Sequence, residues 1–237
     1  MPTRHNVVVR LALLIFILAQ TASSRQEPTE AVSDPFQQQA GGVVLKEQSI
    51  VDGVAILSQS VGLPVSVEFP LGPTISGPAP PLRTFSTNIA SGTVTEVLDR
   101  LCALDPTFTW MRNGSMANFL PSALAKDPHY IFNRKLSEAT FQDVKQAPDA
   151  VMTMVGQLPG AREQLAVLQE GVPLNFPRPW NATLKNVTVR EIANQIARQL
   201  GSCYGWQLSG AADFRMITFH EGLLPRPSRG KQRPTTQ

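Results

Sequence analysis

Two stretches of the chain alternate apolar and polar residues with the period of a helix. In both, apolar residues recur at spacings of three and four, which is typical of a helix with one buried face. Each stretch begins with Thr-x-x-Glu, in which the two side chains cap each other's backbone amides in a capping box. These pairs are Thr93 with Glu96 and Thr188 with Glu191. The sequence therefore predicts two capped helices of one design.

The same start signal occurs in a weaker form at two further places. Ser49 precedes Asp52, and Thr140 precedes Asp143, each followed by apolar residues, although Asp is a weaker partner in such a box than Glu. The four predicted caps are separated by 44, 47 and 48 residues. A nearly constant spacing indicates an internal repeat with four helices.

A short strand-like stretch precedes and follows each predicted helix. Those before the helices are 43–47, 84–89, 130–136 and 182–186, and those after them are 65–69, 108–112, 173–176 and 203–208. Each repeat is therefore a β-α-β unit. Four such units in two pairs predict an α+β fold with two tandem βαββαβ modules.

Composition places the boundaries between these predicted modules. The expected segments are a signal peptide at 1–24, a disordered linker at 25–42, module 1 at 43–122, module 2 at 128–222 and a disordered basic tail at 223–237. Five prolines make 70–81 a long loop inside module 1. In module 2 we expect a short extra helix at 162–169 and a last strand at 214–221.

The N-terminus has the pattern of an export signal. Arg4 and Arg10 precede the apolar run 11–19, and small residues follow it at 20–24. The run is shorter than the roughly 20 apolar residues that a membrane-spanning helix needs. We therefore expect the mature chain to have no integral membrane span and to be periplasmic or extracellular, in a bacterial cell envelope. An uncleaved membrane anchor is the alternative.

Charge gives no support for a nucleic-acid partner. The net charge is +3, but between Pro35 and Gly222 the chain has 14 basic and 15 acidic residues. The excess of positive charge therefore belongs to the two ends of the chain, and the predicted modules are close to neutral.

Cys102 and Cys203 are the only cysteines. An even pair in an exported chain favours one disulfide. Two free thiols that pack as small apolar side chains are the alternative, because Cys102 lies on the apolar side of a predicted helix. Spacing alone does not decide between them.

The residues at 181–206, and more loosely those at 84–110, resemble the STN domain, the short N-terminal domain of secretins and TonB-dependent proteins. The shared features are a strand, a capped helix with paired aliphatic residues, and a strand with Gly before an aromatic residue. The resemblance extends over 43–121 and 130–221. It implies a βαββαβ module that docks other envelope proteins and catalyses no reaction. Nothing after Gly222 is long enough for a barrel or a secretin core, so we expect a free-standing pair.

No motif in the sequence indicates an enzyme or a cofactor. His129 and His220 have no ligand spacing around them, and we expect no metal site. The main hypothesis is a non-enzymatic docking protein whose partner is an envelope protein. The alternative is a polysaccharide- or small-ligand-binding module that uses Trp180 and the loop 70–81. Trp180 lies near Arg178, a composition typical of an interface, and packing against the core is the other interpretation of this Trp.

Overall fold

The computed structural model describes residues 34–69, 81–160, 165–167, 174–210 and 215–222, which form an α+β protein. The strands are β1 Gln39–Ala40, β2 Val43–Gln48, β3 Val65–Val67, β4 Phe85–Ile89, β5 Gly92–Thr93, β6 Phe108–Asn113, β7 Met116–Pro121, β8 Lys135–Gln146, β9 Leu165–Val167, β10 Asn175–Thr188, β11 Tyr204–Gly210 and β12 Arg215–Glu221. The helices are α1 Ile50–Val61, α2 Val94–Leu104, α3 Ser122–Ala125, α4 Ala147–Gly156 and α5 Val189–Leu200. The predicted signal peptide and basic tail, and residues 70–80 of the predicted loop, lie outside the described residues.

The main elements occur in the same order twice. The first half, residues 43–121, contains β2, α1, β3, β4, α2, β6 and β7, and the second half, residues 135–221, contains β8, α4, β9, β10, α5, β11 and β12. Strand pairing repeats as well. β2 pairs antiparallel with β4 as β8 does with β10, and the order β6-β7-β3 matches β11-β12-β9 in both direction and neighbours. Apart from the two-residue strand β5, the described residues of each half therefore contain one strand more than the predicted βαββαβ.

One six-stranded sheet joins the two halves. β3 of the first half pairs in parallel with β11 of the second, which gives the order β6-β7-β3-β11-β12-β9. Residues in a strand alternate between the faces of a sheet. Accordingly Ala117 and Phe119 pack with α1 and α2 in one core, while Met116 packs with Trp206, α4 and α5 in the other.

Three of the four predicted capping boxes are present. At Thr188 the backbone amide donates to the Glu191 carboxylate at 2.7 Å, and the Glu191 amide donates to the Thr188 hydroxyl at 3.2 Å. Ser49 with Asp52 and Thr93 with Glu96 form the same reciprocal pair.

The prediction of a helix cap at Thr140 is wrong. Thr140 lies within β8, where Ala139 and Phe141 have less than 2% of their surface exposed. The helix predicted after Thr140 is α4, which begins seven residues after it, at Ala147. It begins there because Pro148 fixes a helical backbone angle in the first turn and Asp149 follows it. Thr140 and Asp143 lacked the full apolar stripe that accompanied the other caps.

Several boundaries also differ from the prediction. Residues 34–42, expected to be disordered, include β1 and the fully buried Phe36. The expected helix at 162–169 is instead β9 where the structure describes it, and the expected strand at 130–136 begins as a short 3-10 turn, with β8 starting at Lys135. Among the described residues no helix is long and apolar enough to cross a membrane.

Candidate interaction surface

A tryptophan occupies the same place in each half of the chain. Trp110 on β6 lies opposite Phe119, and Trp206 on β11 lies opposite Phe219. Each indole N–H donates to the side chain six residues after the helix cap: Trp110 to Asp99 at 2.7 Å, and Trp206 to Asn194 at 2.8 Å. These shared contacts align β6 with β11 residue by residue.

The junction between the halves depends on a close approach of two backbones. In the pairing of β3 with β11, Trp206 lies opposite Ser66 and Gln207 opposite Val67. A Cβ atom at Gly205 would overlap the carbonyl oxygen of Val65, which is a backbone atom and cannot rotate away. Glycine at 205 therefore allows the two strands to come together.

A buried ion pair ties the first half to the second at the end of β3. The Arg190 guanidinium of α5 binds both carboxylate oxygens of Glu68, Nε to Oε1 and Nη2 to Oε2, the latter at 2.8 Å. Both residues are buried, with 1% and 7% of the surface of Glu68 and Arg190 exposed. Burial raises the pKa of the Glu68 carboxyl, and the bidentate contact with Arg190 opposes that rise.

Further charged and polar groups surround this pair. Tyr130 is buried nearby, and burial followed by the charge of Glu68 raises the pKa of its hydroxyl. The Arg215 guanidinium lies over the Tyr130 ring, 5.2 Å from its centre. Together these residues link the end of β3, α5, β12 and the segment 122–134 between the halves. They are Glu68, Arg190, Arg215 and Tyr130.

A second buried polar contact crosses the same junction. The amides of Asn118 on β7 and Asn194 on α5 donate to each other's oxygens at 3.0 and 2.9 Å. Asn118 also donates to the Ser66 hydroxyl. Because every member of this group has a partner, it fixes the orientation of the halves without leaving an unsatisfied amide.

The six-stranded sheet ends in β6 on one side and β9 on the other. In the described part of the chain β6 pairs only with β7, and β9 only with β12. The outer strand of a sheet presents backbone donors and acceptors to which another strand can add. These two outer strands are the candidate interaction surface.

Of the two positions open for Trp180, the structure has the one in the core and not the one at an interface. Only 6% of its surface is exposed, and its ring stacks on Phe141 with centroids 4.2 Å apart and meets Phe176 edge to face. Trp180 therefore packs in the core of the second half and cannot offer its face to a sugar. Arg178 is exposed on the same strand, β10. Residues 70–80 of the loop 70–81, which is predicted to bind a ligand together with Trp180, lie outside the described residues.

The two cysteines do not form a disulfide in this structure. Cys102 is on α2, and Cys203 directly precedes β11. Burial, with Asp99 nearby, raises the pKa of the Cys102 thiol to about 12. Burial also raises the pKa of the Cys203 thiol, as does the hydrogen bond that this thiol donates to Glu221 at 3.5 Å. Cys102 is therefore a poor nucleophile, because a thiol reacts as the thiolate and a raised pKa keeps it protonated.

Neither histidine belongs to a metal-binding cluster in the described residues. No group of three His, Cys, Asp or Glu side chains there is placed to hold a metal ion. His129 is exposed in the loop before Tyr130. His220 on β12 lies within 2.6 Å of the Gly222 carbonyl through Nδ1, and burial lowers the pKa of its ring.

Sequence reasoning missed the residues that join the halves. Glu68 and Arg190 are 122 positions apart, so no local pattern connects them. One signal was present: Glu68 is the single charged residue in the apolar stretch 65–69, and such a charge in a buried strand needs a partner. Gly205 belongs to the Gly-aromatic strand, but its close contact depends on a strand from the other half.

Comparison with known proteins identifies no relative of this chain. No protein-family model, no curated protein and no solved structure matches this chain.

Proposed function

We propose that this protein is a non-enzymatic docking protein of the cell envelope, which binds a protein partner by adding the partner's strand to its six-stranded sheet. The observation that carries the proposal is the pairing of β3 with β11, through which one half of the chain already binds the other. An edge that accepts a strand within the molecule has the chemistry to accept one from another molecule.

The outer strands β6 and β9 supply the corresponding surface. Backbone hydrogen bonds along such an edge give affinity to any extended chain, while neighbouring side chains give specificity. Arg112 on β6 is already engaged, since it binds Asp34 at 2.8 Å and lies over the ring of Phe36. These contacts hold residues 34–36 against the side chains of β6, so β6 is the more occupied of the two outer strands.

The location of the protein in the cell envelope is also a proposal, and the support for it comes from the sequence. The basic and apolar pattern of residues 1–24 supports export, and the resemblance to the STN domain supports an envelope protein as partner. An envelope docking role needs no reactive thiol and no cofactor.

The test is capture of the partner in the cells that make the protein. The tagged chain is cross-linked in the intact envelope with a cleavable reagent, purified, and examined by mass spectrometry with and without reduction. The proposal predicts one protein partner in a constant ratio to the tagged chain. Capture of glycan alone, or of the chain alone, would contradict it.

Arg178→Ala provides a matched control. Arg178 is exposed on β10, which belongs to the separate pair with β8 and not to the six-stranded sheet. If the sheet edge binds the partner, capture by this variant equals that of the wild type. Loss of capture would move the interface to β10.

A further inference from the structure

We propose that residues 34–40 form a strap that opens as a unit at Gly41 and Gly42, and that the surface beneath it binds a partner segment with an acidic residue two positions before a phenylalanine. This surface, which we call the strap site, consists of Trp110 and Arg112 on β6 and the first amides of α2. The inference goes beyond strand addition to the sheet, because it concerns side chains of β6 and not its backbone edge.

One aromatic ring and two backbone carbonyl groups hold the strap. The Phe36 ring is fully buried and stacks on Trp110 with the ring centroids 5.6 Å apart. The Gln38 carbonyl accepts from the amide of Val94, the first residue of α2, at 3.0 Å, and the Phe36 carbonyl accepts from the next amide at 3.2 Å. Backbone hydrogen bonds together with a site for one side chain are how extended peptides bind to proteins.

The second half contains an equivalent segment with a different sequence. The Phe132 ring stacks on Trp206 with the centroids 5.0 Å apart, and the Arg134 carbonyl accepts the first amide of α5 at 3.0 Å. In both halves this carbonyl comes two residues after the phenylalanine, which is the only residue shared at the aligned positions of 34–38 and 130–134. The site in each half therefore selects an aromatic ring and tolerates different neighbours.

A charge distinguishes the strap site from its counterpart in the second half. The Arg112 guanidinium binds Asp34 at 2.8 Å and lies over the Phe36 ring, 4.6 Å from its centre. β11 has Leu208 at the equivalent position, two residues after its tryptophan. Because the two side chains of the ion pair are 47% and 34% exposed, the pair contributes little to holding the strap. The charge of Arg112 instead favours an acidic residue two positions before the phenylalanine.

Both straps lead into a strand in the same way, but the paths then differ. Gln39 pairs with the helix cap Thr93 in the first half, and Lys135 pairs with the helix cap Thr188 in the second. From Lys135 the chain continues as one unbroken strand, β8, to the start of α4. In the first half the corresponding path is divided between β1 and β2 by two glycines.

Gly41 and Gly42 supply the freedom that the strap needs to open. Glycine weakens a strand, because it has no side chain to pack and regains the most backbone freedom on release. At Gly41 nothing lies within 4 Å of a Cβ position. The second strap lies between α3 and the unbroken β8. We therefore expect the first strap to open while the second stays in place.

Hydrogen exchange of the wild-type chain tests the opening. The amides of Val94 and Thr95 donate to carbonyls of the first strap, whereas the Val189 amide donates to the second. NMR should find protection factors at least about tenfold lower at Val94 and Thr95 than at Val189, because the first strap opens separately from global unfolding. Equal protection factors would overturn the inference.

A peptide of residues 33–40, acetylated and amidated at its ends, tests the binding. It is added to the Phe36→Ala chain, in which the strap lacks its aromatic ring. Calorimetry should show saturable binding to this variant and at least about tenfold weaker binding to the wild type, whose own strap competes at a high effective concentration. The peptide carrying Phe36→Ala is the matched control and should bind at least about tenfold more weakly than the unchanged peptide.

Two further changes test the preference for an acidic residue. Asp34→Asn in the peptide should weaken binding to the Phe36→Ala chain by about two- to fivefold, the range for a partly exposed ion pair. The same change in the peptide should have no effect when the chain also carries Arg112→Ala. An equal effect with and without Arg112 would contradict the proposed chemistry of the partner.

The binding part of the inference is overturned if the folded Phe36→Ala chain does not bind the peptide, if the wild type binds it equally well, or if the control peptide binds equally well. A Phe36→Ala chain that fails circular dichroism is replaced by Asp34→Arg, which weakens the strap by placing a second positive charge beside Arg112, judged by the same outcomes. Because the probe is the chain's own segment, these results do not depend on capture of an envelope partner.

Discussion

Glu68 and Arg190 are buried together, and each neutralises the other. Removing two charges from water has a large cost, which their mutual attraction and two hydrogen bonds offset. The pair is therefore a weak source of net stability, but either residue without the other is a buried, uncompensated charge. We expect its main contribution to be in specifying how the first half meets the second, because Glu68 directly follows β3 and Arg190 lies on α5.

Glu68→Gln should lower the free energy of unfolding by about 3–5 kcal/mol, because the variant leaves the Arg190 guanidinium without a counter-charge. Urea denaturation followed by circular dichroism measures this. The double variant Glu68→Met, Arg190→Met should lose less than the sum of the two single variants. If each single variant changes stability by less than about 0.5 kcal/mol, the pair is solvated and the description of the junction is wrong.

The cysteines give a second test. Both thiols should be titratable in protein that is denatured without reductant, because neither is in a disulfide in this structure. In the native protein at pH 8, Cys203 should react with a thiol reagent well before Cys102, whose pKa is raised to about 12. Mass spectrometry of the labelled peptides distinguishes the two. Absence of titratable thiols would show that they pair after all.

Single residues were predictable from the sequence only where their role is local. Thr93 and Thr188 could be placed as caps because each bonds with a residue three positions away. Trp180 could not be placed, because its neighbour Phe141 comes from β8, on the far side of a helix in the sequence. Its setting of Pro and Arg left an interface and the core both open, and the alternation of the strand directs the indole into the core.

Helix α5 and strand β8 show how the same start signal leads to different elements. At Thr188 the box is followed by a complete apolar stripe, and a helix forms. At Thr140 the apolar residues on β8 fit the alternation of a strand, and β8 pairs with β10 over most of its length. Long-range pairing therefore overrides a weak local signal.

The two threonines make a matched pair of variants. Thr188→Ala removes the acceptor for the Glu191 amide and should lower the free energy of unfolding by about 1 kcal/mol. Thr140→Ala should change it by less than about 0.5 kcal/mol, because Thr140 caps no helix. Equal losses measured by urea denaturation would contradict the assignment of 140 to a strand.

The junction strand β11 depends on one glycine. Gly205→Ala should lower the free energy of unfolding by at least about 1–3 kcal/mol, because the new methyl group overlaps the Val65 carbonyl and forces β3 and β11 apart. Gly41→Ala is the control, since nothing lies within 4 Å of a Cβ atom there. Equal stability of Gly205→Ala and the wild type would show that the strands do not approach so closely.

For the molecule as a whole, the sequence indicated the repeat but not the way its copies join. Each of the three confirmed caps depends on contacts within the first turn of its own helix. The pairing of Ser66 with Trp206 joins strands from different halves, and no periodicity in either half encodes it. β9 was missed for a related reason, because a strand of three residues is too short to show alternation.

The merged sheet also changes what the two copies can do. Joined through β3 and β11, they form one sheet with a core on each face. The described residues belong to one compact unit. The copies should therefore unfold together, and docking should involve the ends of the common sheet.

The most direct test of the docking account is hydrogen exchange on the complex with the captured protein, compared with the free chain at the same pH and temperature. The account predicts slower exchange at the amides of β9, 165–167, with little change on the β8 and β10 pair. Slower exchange confined to β8 and β10, or no change on any strand, would contradict docking through the end of the six-stranded sheet.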